Sequence, residues 1–320
     1  MKIIRNIKYL NLKKNSSVTI GNFDGIHLGH QNILKKMGRV AKLNNLQSIV
    51  ITFEPYPYDF FNKINSFKIS SFKEKYKLLE SFNVDYLVVL KFNQNFAKIN
   101  AHDFIKDILV NKLKTKYLLV GDDFRFGYQR QGDYDLLKSQ GNKYDFKVSK
   151  MDSINSILEN DPLRISSTTI RELLRKDKLE LCSKLLGRNF GVYGKVIKGL
   201  GLGRELGFPT ANIYIKDKKL IKLSGIFAVK VKINNNVVPG VASWGVRPTI
   251  DKNKKPLLEV YLFDYAKDLY GMELYVEFVA KIRDEQKFAN LDELKLNISK
   301  DVYKAKTILG VKENSKEIIQ

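Results

Sequence analysis

Residues 18–31, Val-Thr-Ile-Gly-Asn-Phe-Asp-Gly-Ile-His-Leu-Gly-His-Gln, constrain this chain more than any other stretch. An apolar run meets glycines and then the start of a helical pattern, so the order is strand, turn, helix. The chain has three histidines, and two of them, His27 and His30, sit here. Their spacing puts both on one face of the starting helix. A helix start presents unpaired backbone N–H groups and the positive end of the helix dipole, a combination that favours phosphate. A nucleotide-phosphate site follows as the sharper reading, and two imidazoles that merely cap a helix as the simpler one. Zinc would need further ligands, and no Cys, His or Glu cluster is near in sequence to supply them.

Strand and helix patterns alternate through the first half. Strands are expected at 17–20, 47–53, 86–90, 117–120 and 146–148, with helices at 28–43, 71–82, 101–113 and from 134. Strands parted by helices of this length predict a parallel sheet covered on both faces. Ligands on such sheets bind beyond the carboxyl ends of the strands. The loops after Ile20, Phe53 and Val120 all carry unusual chemistry, which points to one shared cleft. The last of them, residues 120–127, joins Asp123, Phe124, Arg125 and Phe126: two stacking faces, an acceptor for ring N–H groups and a cation for phosphate. Ordinary packing in a glycine-bounded loop is the alternative. Residues 165–174 follow, with Ser166 or Ser167 as a cap or a phosphate contact ahead of a helix.

From about Phe190 the texture becomes β-rich, with strands expected at 191–196, 225–233, 237–243, 257–263 and 274–282 and a hairpin loop at 234–236. The pattern predicts a small antiparallel barrel closed by a helix over 291–308 that starts at Asn290. The tail from Lys312 is expected to fray. Residues 199–212, Gly-Leu-Gly-Leu-Gly-Arg-Glu-Leu-Gly-Phe-Pro-Thr-Ala-Asn, lack the dinucleotide spacing but can lay N–H groups against phosphates. Thr210 and Asn212 fall on alternate strand positions, so both point one way, and their oxygens suit a nucleotide-bound Mg²⁺. Glu259 interrupts an apolar strand, where it is either half exposed or a general base for an alcohol.

The totals narrow the classes. At 320 residues two domains are expected, and 44% hydrophobic residues give ample core. No apolar run reaches the roughly 18 residues of a membrane span, and the N-terminus has no secretory apolar core. One cysteine, Cys182, excludes an intramolecular disulfide and fits a reducing cytoplasm. The net charge of +22 would suit nucleic acid, but the lysines are scattered without a basic run, which favours compositional bias and attraction of anionic nucleotides. An RNA-binding protein would need clustered cations with interleaved aromatics, and these are missing.

Taken in order, the motifs resemble the bacterial bifunctional riboflavin kinase and FMN adenylyltransferase family, the FAD synthetases. They are Gly21-Asn-Phe-Asp-Gly-Ile-His-Leu-Gly-His30, Phe53-Glu-Pro-Tyr-Pro57, Gly121-Asp-Asp-Phe-Arg-Phe-Gly127, Ile165-Ser-Ser-Thr-Thr-Ile-Arg171, Gly207-Phe-Pro-Thr-Ala-Asn212, Arg247-Pro-Thr249, Glu259, Leu269-Tyr-Gly271 and Arg283-Asp-Glu-Gln-Lys-Phe288. The resemblance implies an α/β Rossmann-like nucleotidyltransferase domain over residues 1–186. A riboflavin kinase β-barrel with a closing helix would occupy residues 187–320. The barrel would make FMN from riboflavin and ATP, and the first domain would adenylylate FMN to FAD. The implied kinase base is Glu259. His27, His30 and Arg171 would serve adenylyl transfer. ATP would meet Gly21, Phe23, Gly29, Ser167, Thr168, Gly203, Thr210 and Asn212, the last two through Mg²⁺. Flavin would meet Asp123, Phe124, Phe126, Arg283 and Phe288. Flavins are then substrates and products, nucleic acid and membrane are not expected as partners, the enzyme is cytoplasmic, and self-association is open. Two departures stand out: Glu259-Val-Tyr261 where the family has Glu-x-His, and Ala242-Ser-Trp-Gly245 where it has Asn-Ile-Gly, which places Trp244 near the expected flavin region.

Overall fold

The computed structural model describes all residues except 63–66, 153–154, 159–160, 200, 218–222, 247–255 and 313–320. The Arg247-Pro-Thr249 motif and the tail after Lys312 lie outside the described residues. The chain divides into two compact units, residues 1–66 with 72–167, and residues 67–71 with 168–320.

In the first unit β1 (Lys2–Ile4) and β2 (Ser16–Ile20) precede α1 (Leu28–Leu43), which buries Leu34, Met37 and Ala41 at helical spacing. Then come β3 (Gln47–Glu54), α2 (Pro57–Asn62), α3 (Phe72–Glu80), β4 (Tyr86–Lys91), α4 (Gln94–Ala97) and α5 (Ala101–Asp103). Beyond α5 the helix expected to run to residue 113 changes character and widens to i→i+5 bonding over Phe104–Lys112. The widened stretch still buries one apolar face. Phe104, Ile105, Ile108, Leu109 and Leu113 recur every four to five residues, and all are buried. β5 (Thr115–Gly121), α6 (Tyr134–Tyr144), β6 (Lys147–Met151) and a hairpin of β7 (Asn155–Leu158) and β8 (Asp161–Arg164) complete the unit.

Six parallel strands form the sheet in the order β1-β4-β3-β2-β5-β6. The central β2 is buried along its whole length, and its two serines turn to backbone: Ser16 Oγ donates to the Leu113 carbonyl at 2.5 Å and Ser17 Oγ to the Met37 carbonyl at 3.4 Å. From β2 the chain moves outward through β3 and β4, then returns to β5 on the other side. The switch point therefore falls between β2 and β5, where loops diverge and leave a crevice.

The second unit opens with α7 (Ser167–Arg175) and α8 (Leu179–Leu186), which seals Cys182 in apolar surroundings that push its thiol up to about 12. Then follow β9 (Phe190–Ile197), the short α9 (Leu202–Glu205) inside the glycine stretch, β10 (Thr210–Tyr214), β11 (Gly225–Ile233), β12 (Asn236–Val246), β13 (Pro256–Leu262) and β14 (Glu273–Arg283). These strands close a barrel in the order β10-β13-β12-β11-β14-β9. Phe227, Trp244 and Phe278 fill its interior, with the Trp244 and Phe278 rings 5.2 Å apart. Trp244 thus packs inside the barrel, and its neighbour Ser243 faces the opposite side.

Helix α10 (Leu291–Leu309) packs on the outer face. Asn290 caps it by accepting from the Glu293 N–H at 2.8 Å. Ala305 seats against Ala228, Val241 and Phe263. Asp301, buried on the same helix, accepts three hydrogen bonds from Arg283, from Nε at 2.9 Å and 3.1 Å and from Nη2 at 2.7 Å. Breaking a buried ion pair typically costs about 3–5 kcal/mol, because one charge is left uncompensated. Asp301→Ala should therefore lower the barrel's unfolding free energy by that order, read from denaturant unfolding followed at Trp244, the chain's single tryptophan.

Candidate active sites in the two units

The loop from β2 to α1 is held in a shape its own residues resist. Phe23 has φ +48° and Ile26 has φ +40°, the left-handed region that a β-branched residue rarely enters. Both side chains are buried, at 1% and 0% exposure. Three alternate carbonyls are pinned. The Asn22 carbonyl accepts from Lys75 Nζ at 2.7 Å and Thr52 Oγ1 at 3.2 Å. The Asp24 carbonyl accepts from Ser167 Oγ at 2.9 Å, and the Ile26 carbonyl from Gln31 Nε2 at 3.0 Å.

This loop delivers His27 to the N-cap of α1, where its Nδ1 accepts from the His30 N–H at 3.3 Å. The two imidazoles stack, with centroids 3.6 Å apart and planes 21° apart. Phe23 lies against His30 at 5.0 Å, so its side chain supports the imidazole from the core. Gly29 leaves room for that stack, since a Cβ there would come within 3.1 Å of His27 Nδ1. Gly21 sits over the Phe23 ring in the same way. Burial pushes the His30 imidazole well below its ordinary 6.5, helped by the charges of His27 and Lys75. Its Nδ1 is buried with no hydrogen-bond partner. His30 is therefore a neutral imidazole with an unsatisfied Nδ1, stacked on His27 at a helix start. Among the described residues no group of His, Cys, Asp or Glu is placed to hold a metal ion.

Of the Ile165–Arg171 residues, Ser167 joins this loop through Asp24. Thr168 is exposed at the start of α7, and Arg171 donates through Nε to the Phe67 carbonyl at 2.7 Å.

Beyond the carboxyl ends of β2, β3, β4 and β5 opens a cavity of about 610 Å³. The loops after Ile20, Phe53 and Val120 all reach it, through Gly21, Asn22, Phe53, Pro57 and residues 123–127. Phe124 and Phe126 stack within it at 5.6 Å, with planes 15° apart. Phe61, Phe92 and Phe96 line the rest of its apolar wall. Asp123 is held by Arg164 at 3.1 Å and Arg125 by Asp133 at 2.7 Å, so the charges of this loop are already oriented. The aromatic wall beyond the Phe124 loop was not expected from sequence, because its phenylalanines come from three separate elements.

The barrel's site is built by strand register. On β10, β13 and β12, Asn212 stands opposite Glu259, and Glu259 opposite Ser243. All three line a cavity of about 240 Å³ with Thr210, Tyr261 and Phe288. The cavity lies on the face that α10 covers. Asn212 is buried, and its Oδ1 has no hydrogen-bond partner. Gly199 is required there, since a Cβ would overlap the Asn212 amide. Gly203 likewise admits the Thr210 hydroxyl. Arg283 lines the cavity with its guanidinium over Phe288 at 5.6 Å, but its donors are committed to Asp301 and the Asp284 carbonyl. Glu285, which sequence reasoning passed over, lines the cavity too and lies against Gly245. Loss of hydration, then the charge of Glu259, holds its carboxyl above the usual range. Thr210 also faces a second cavity of about 480 Å³, with Arg204, Lys267, Tyr265 and Tyr270.

The two sites are a buried imidazole stack at a helix start on a parallel sheet, and a barrel that sets a carboxylate beside an amide and a hydroxyl, the kind of pairing a two-unit transferase needs. The comparisons agree. The family model for FAD synthetase matches residues 10–169, and that for riboflavin kinase matches residues 186–309. A bifunctional riboflavin kinase/FMN adenylyltransferase of Buchnera aphidicola subsp. Schizaphis graminum is 44% identical, over 94% of this chain and 97% of its own. The Escherichia coli K12 protein of the same description is 40% identical, over 97% and 99%. Among solved structures, a Streptococcus pneumoniae protein described as a macrolide-efflux protein superposes with a TM-score of 0.79 at 29% identity, over 93% of this chain and 96% of its own. The chain belongs to the bifunctional riboflavin kinase/FMN adenylyltransferase family. It is an enzyme with both activities: it phosphorylates riboflavin to FMN and adenylylates FMN to FAD. No helix among the described residues is long and apolar enough to cross a membrane.

The state of His30 sets a pH dependence. Its folded pKa lies below its unfolded value of 6.5, so below that pH the unfolded chain takes up a proton that the folded chain refuses. Stability of the first unit should fall as pH drops below 6.5 and level off above it. In His30→Gln that part of the slope should vanish, as thermal unfolding of both proteins across the acid range would record.

Proposed function

We propose that the two activities map onto these residues with a domain boundary at 186/187. In the barrel, Glu259 takes the proton from the terminal ribityl hydroxyl of riboflavin. The freed oxygen attacks the γ-phosphorus of ATP, and ADP leaves. The observation that carries this reading is the register that sets Glu259 beside Asn212 on neighbouring strands, in one cavity with Thr210. The unpartnered Asn212 Oδ1 and the Thr210 hydroxyl suit a Mg²⁺ that arrives with ATP and neutralises phosphate charge. Thr210 borders both barrel cavities, so the flavin occupies the one holding Glu259 and Phe288, and the nucleotide the one holding Arg204 and Lys267. Gly203 keeps the backbone close to the phosphates. Arg283 acts on flavin by holding Phe288 in place.

In the first unit the FMN phosphate oxygen attacks the α-phosphorus of ATP, and pyrophosphate leaves. The nucleophile is already ionised, so no protein base is needed. Catalysis rests on positioning and on stabilising developing charge. His27 and His30 meet ATP phosphates at the helix start, beside Gly21, Gly29 and the backbone of Phe23. Ser167 adds a hydroxyl donor. Flavin stacks on Phe124 and Phe126 with Asp123 at its polar edge. The enzyme works in the cytoplasm on small molecules, with neither nucleic acid nor membrane as partner, and self-association is compatible with this scheme.

Removing a general base typically costs about 10²–10⁴-fold. Glu259→Gln should lose FMN formation on that scale and still convert supplied FMN to FAD. Undiminished riboflavin turnover would remove Glu259 from the base role. Removing one electrostatic donor costs about 10²–10³-fold. His30→Ala given riboflavin and ATP should accumulate FMN without FAD, as separation of the products by chromatography would reveal.

A further inference from the structure

Lys75 is the one buried cation among the described lysines and arginines, at 3% exposure on α3. Its ammonium donates to three oxygens: the Asn22 carbonyl at 2.7 Å, the Tyr56 hydroxyl at 2.9 Å and the Thr52 hydroxyl at 3.4 Å. Thr52 in turn donates to the same Asn22 carbonyl at 3.2 Å. Asn22 directly precedes Phe23, the first left-handed residue of the loop that carries His27 and His30. Burying an ammonium is costly, and an apolar side chain of similar length could fill the same space. A charge kept under such a loop is therefore better explained by what the loop does than by packing alone.

We propose that Lys75 is a positioning residue for adenylyl transfer: it fixes the Asn22 carbonyl, and with it the strained loop, and it sets a permanent positive charge behind the phosphate-binding face of α1. It does not touch substrate. A fixed charge in a dry setting needs no reorganisation as negative charge develops on the transferring phosphoryl group, so its effect falls on the transition state more than on ground-state binding. The same charge faces His30, together with His27, and helps keep that imidazole neutral. The inference rests on the placement of adenylyl transfer at this loop.

Lys75→Met in the full-length enzyme keeps the length and removes the charge. It should lower kcat for FMN adenylylation at least tenfold, with KM for ATP changed less than threefold. Phosphorylation of riboflavin by the same preparation should stay within twofold. With three histidines in the chain, NMR titration resolves them, and the His30 pKa should move upward in the variant. Lys75→Arg, which keeps the charge, should recover part of kcat. FAD formation within twofold of wild type by Lys75→Met, or an unmoved His30 titration, would overturn the proposal. If the methionine variant does not fold, Thr52→Val and Tyr56→Phe carry the test. Each removes one oxygen and leaves the cation, several-fold losses of kcat in both support the role, and unchanged kcat in both overturns it. His30→Ala run alongside separates the two levels: normal FAD output there sinks the placement itself, whereas loss there with an active Lys75→Met sinks only Lys75.

Discussion

The Asn22–His27 backbone is the constraint on which the first unit turns. Left-handed φ at Phe23 and Ile26 costs about 1–3 kcal/mol each, and no glycine relieves either. The strain is offset by burial of both side chains and by hydrogen bonds to three carbonyls from four separate places in the chain. Because α1 starts where this loop ends, the direction of the helix and the position of its N-terminus are fixed by the same contacts. Strain and preorganisation are here one arrangement.

The two units reach rigidity by different routes. In the first, irregular backbone is clamped by side chains from elsewhere. In the barrel, Asn212, Glu259 and Ser243 need no clamp, because hydrogen-bonded register alone places them side by side. The helix that covers them is held by Asp301 on Arg283. A loop site can tune an imidazole by burial, whereas a strand site sets the spacing of side chains that share one cavity.

Much of this was legible in the sequence. The helix over 28–43 and the strand over 225–233 match their predicted bounds, because strong periodicity and clean turn signals agree there. The carboxylate on β13 was visible as an interruption of an apolar strand. What was hidden depended on tertiary context. Three-residue β1 is too short to show alternation. The widened helix over residues 104–112 keeps an apolar pattern that reads as ordinary helix at low resolution of period. The motif around Trp244 points it toward flavin, but strand alternation turns Ser243 to the cavity and Trp244 to the barrel interior. Lys75 left a faint signal, a charge at the buried position four residues before Leu79, but only the Asn22 carbonyl explains it. Glu285 gave none, since it reaches the Glu259 cavity only by folding back over Gly245 on the neighbouring β12.

Closure also governs how these sheets meet other chains. Every strand of the barrel has two partners, so none offers a free row of N–H and C=O groups to an incoming strand. The six-stranded sheet does have two rims. One is β1, a mere three residues long, and the other is β6, which carries Lys147 and Lys150. A brief rim and a cationic rim both discourage strand addition from another molecule. The topology that assembles two catalytic sites thereby also protects a concentrated solution of this enzyme from edge-to-edge association.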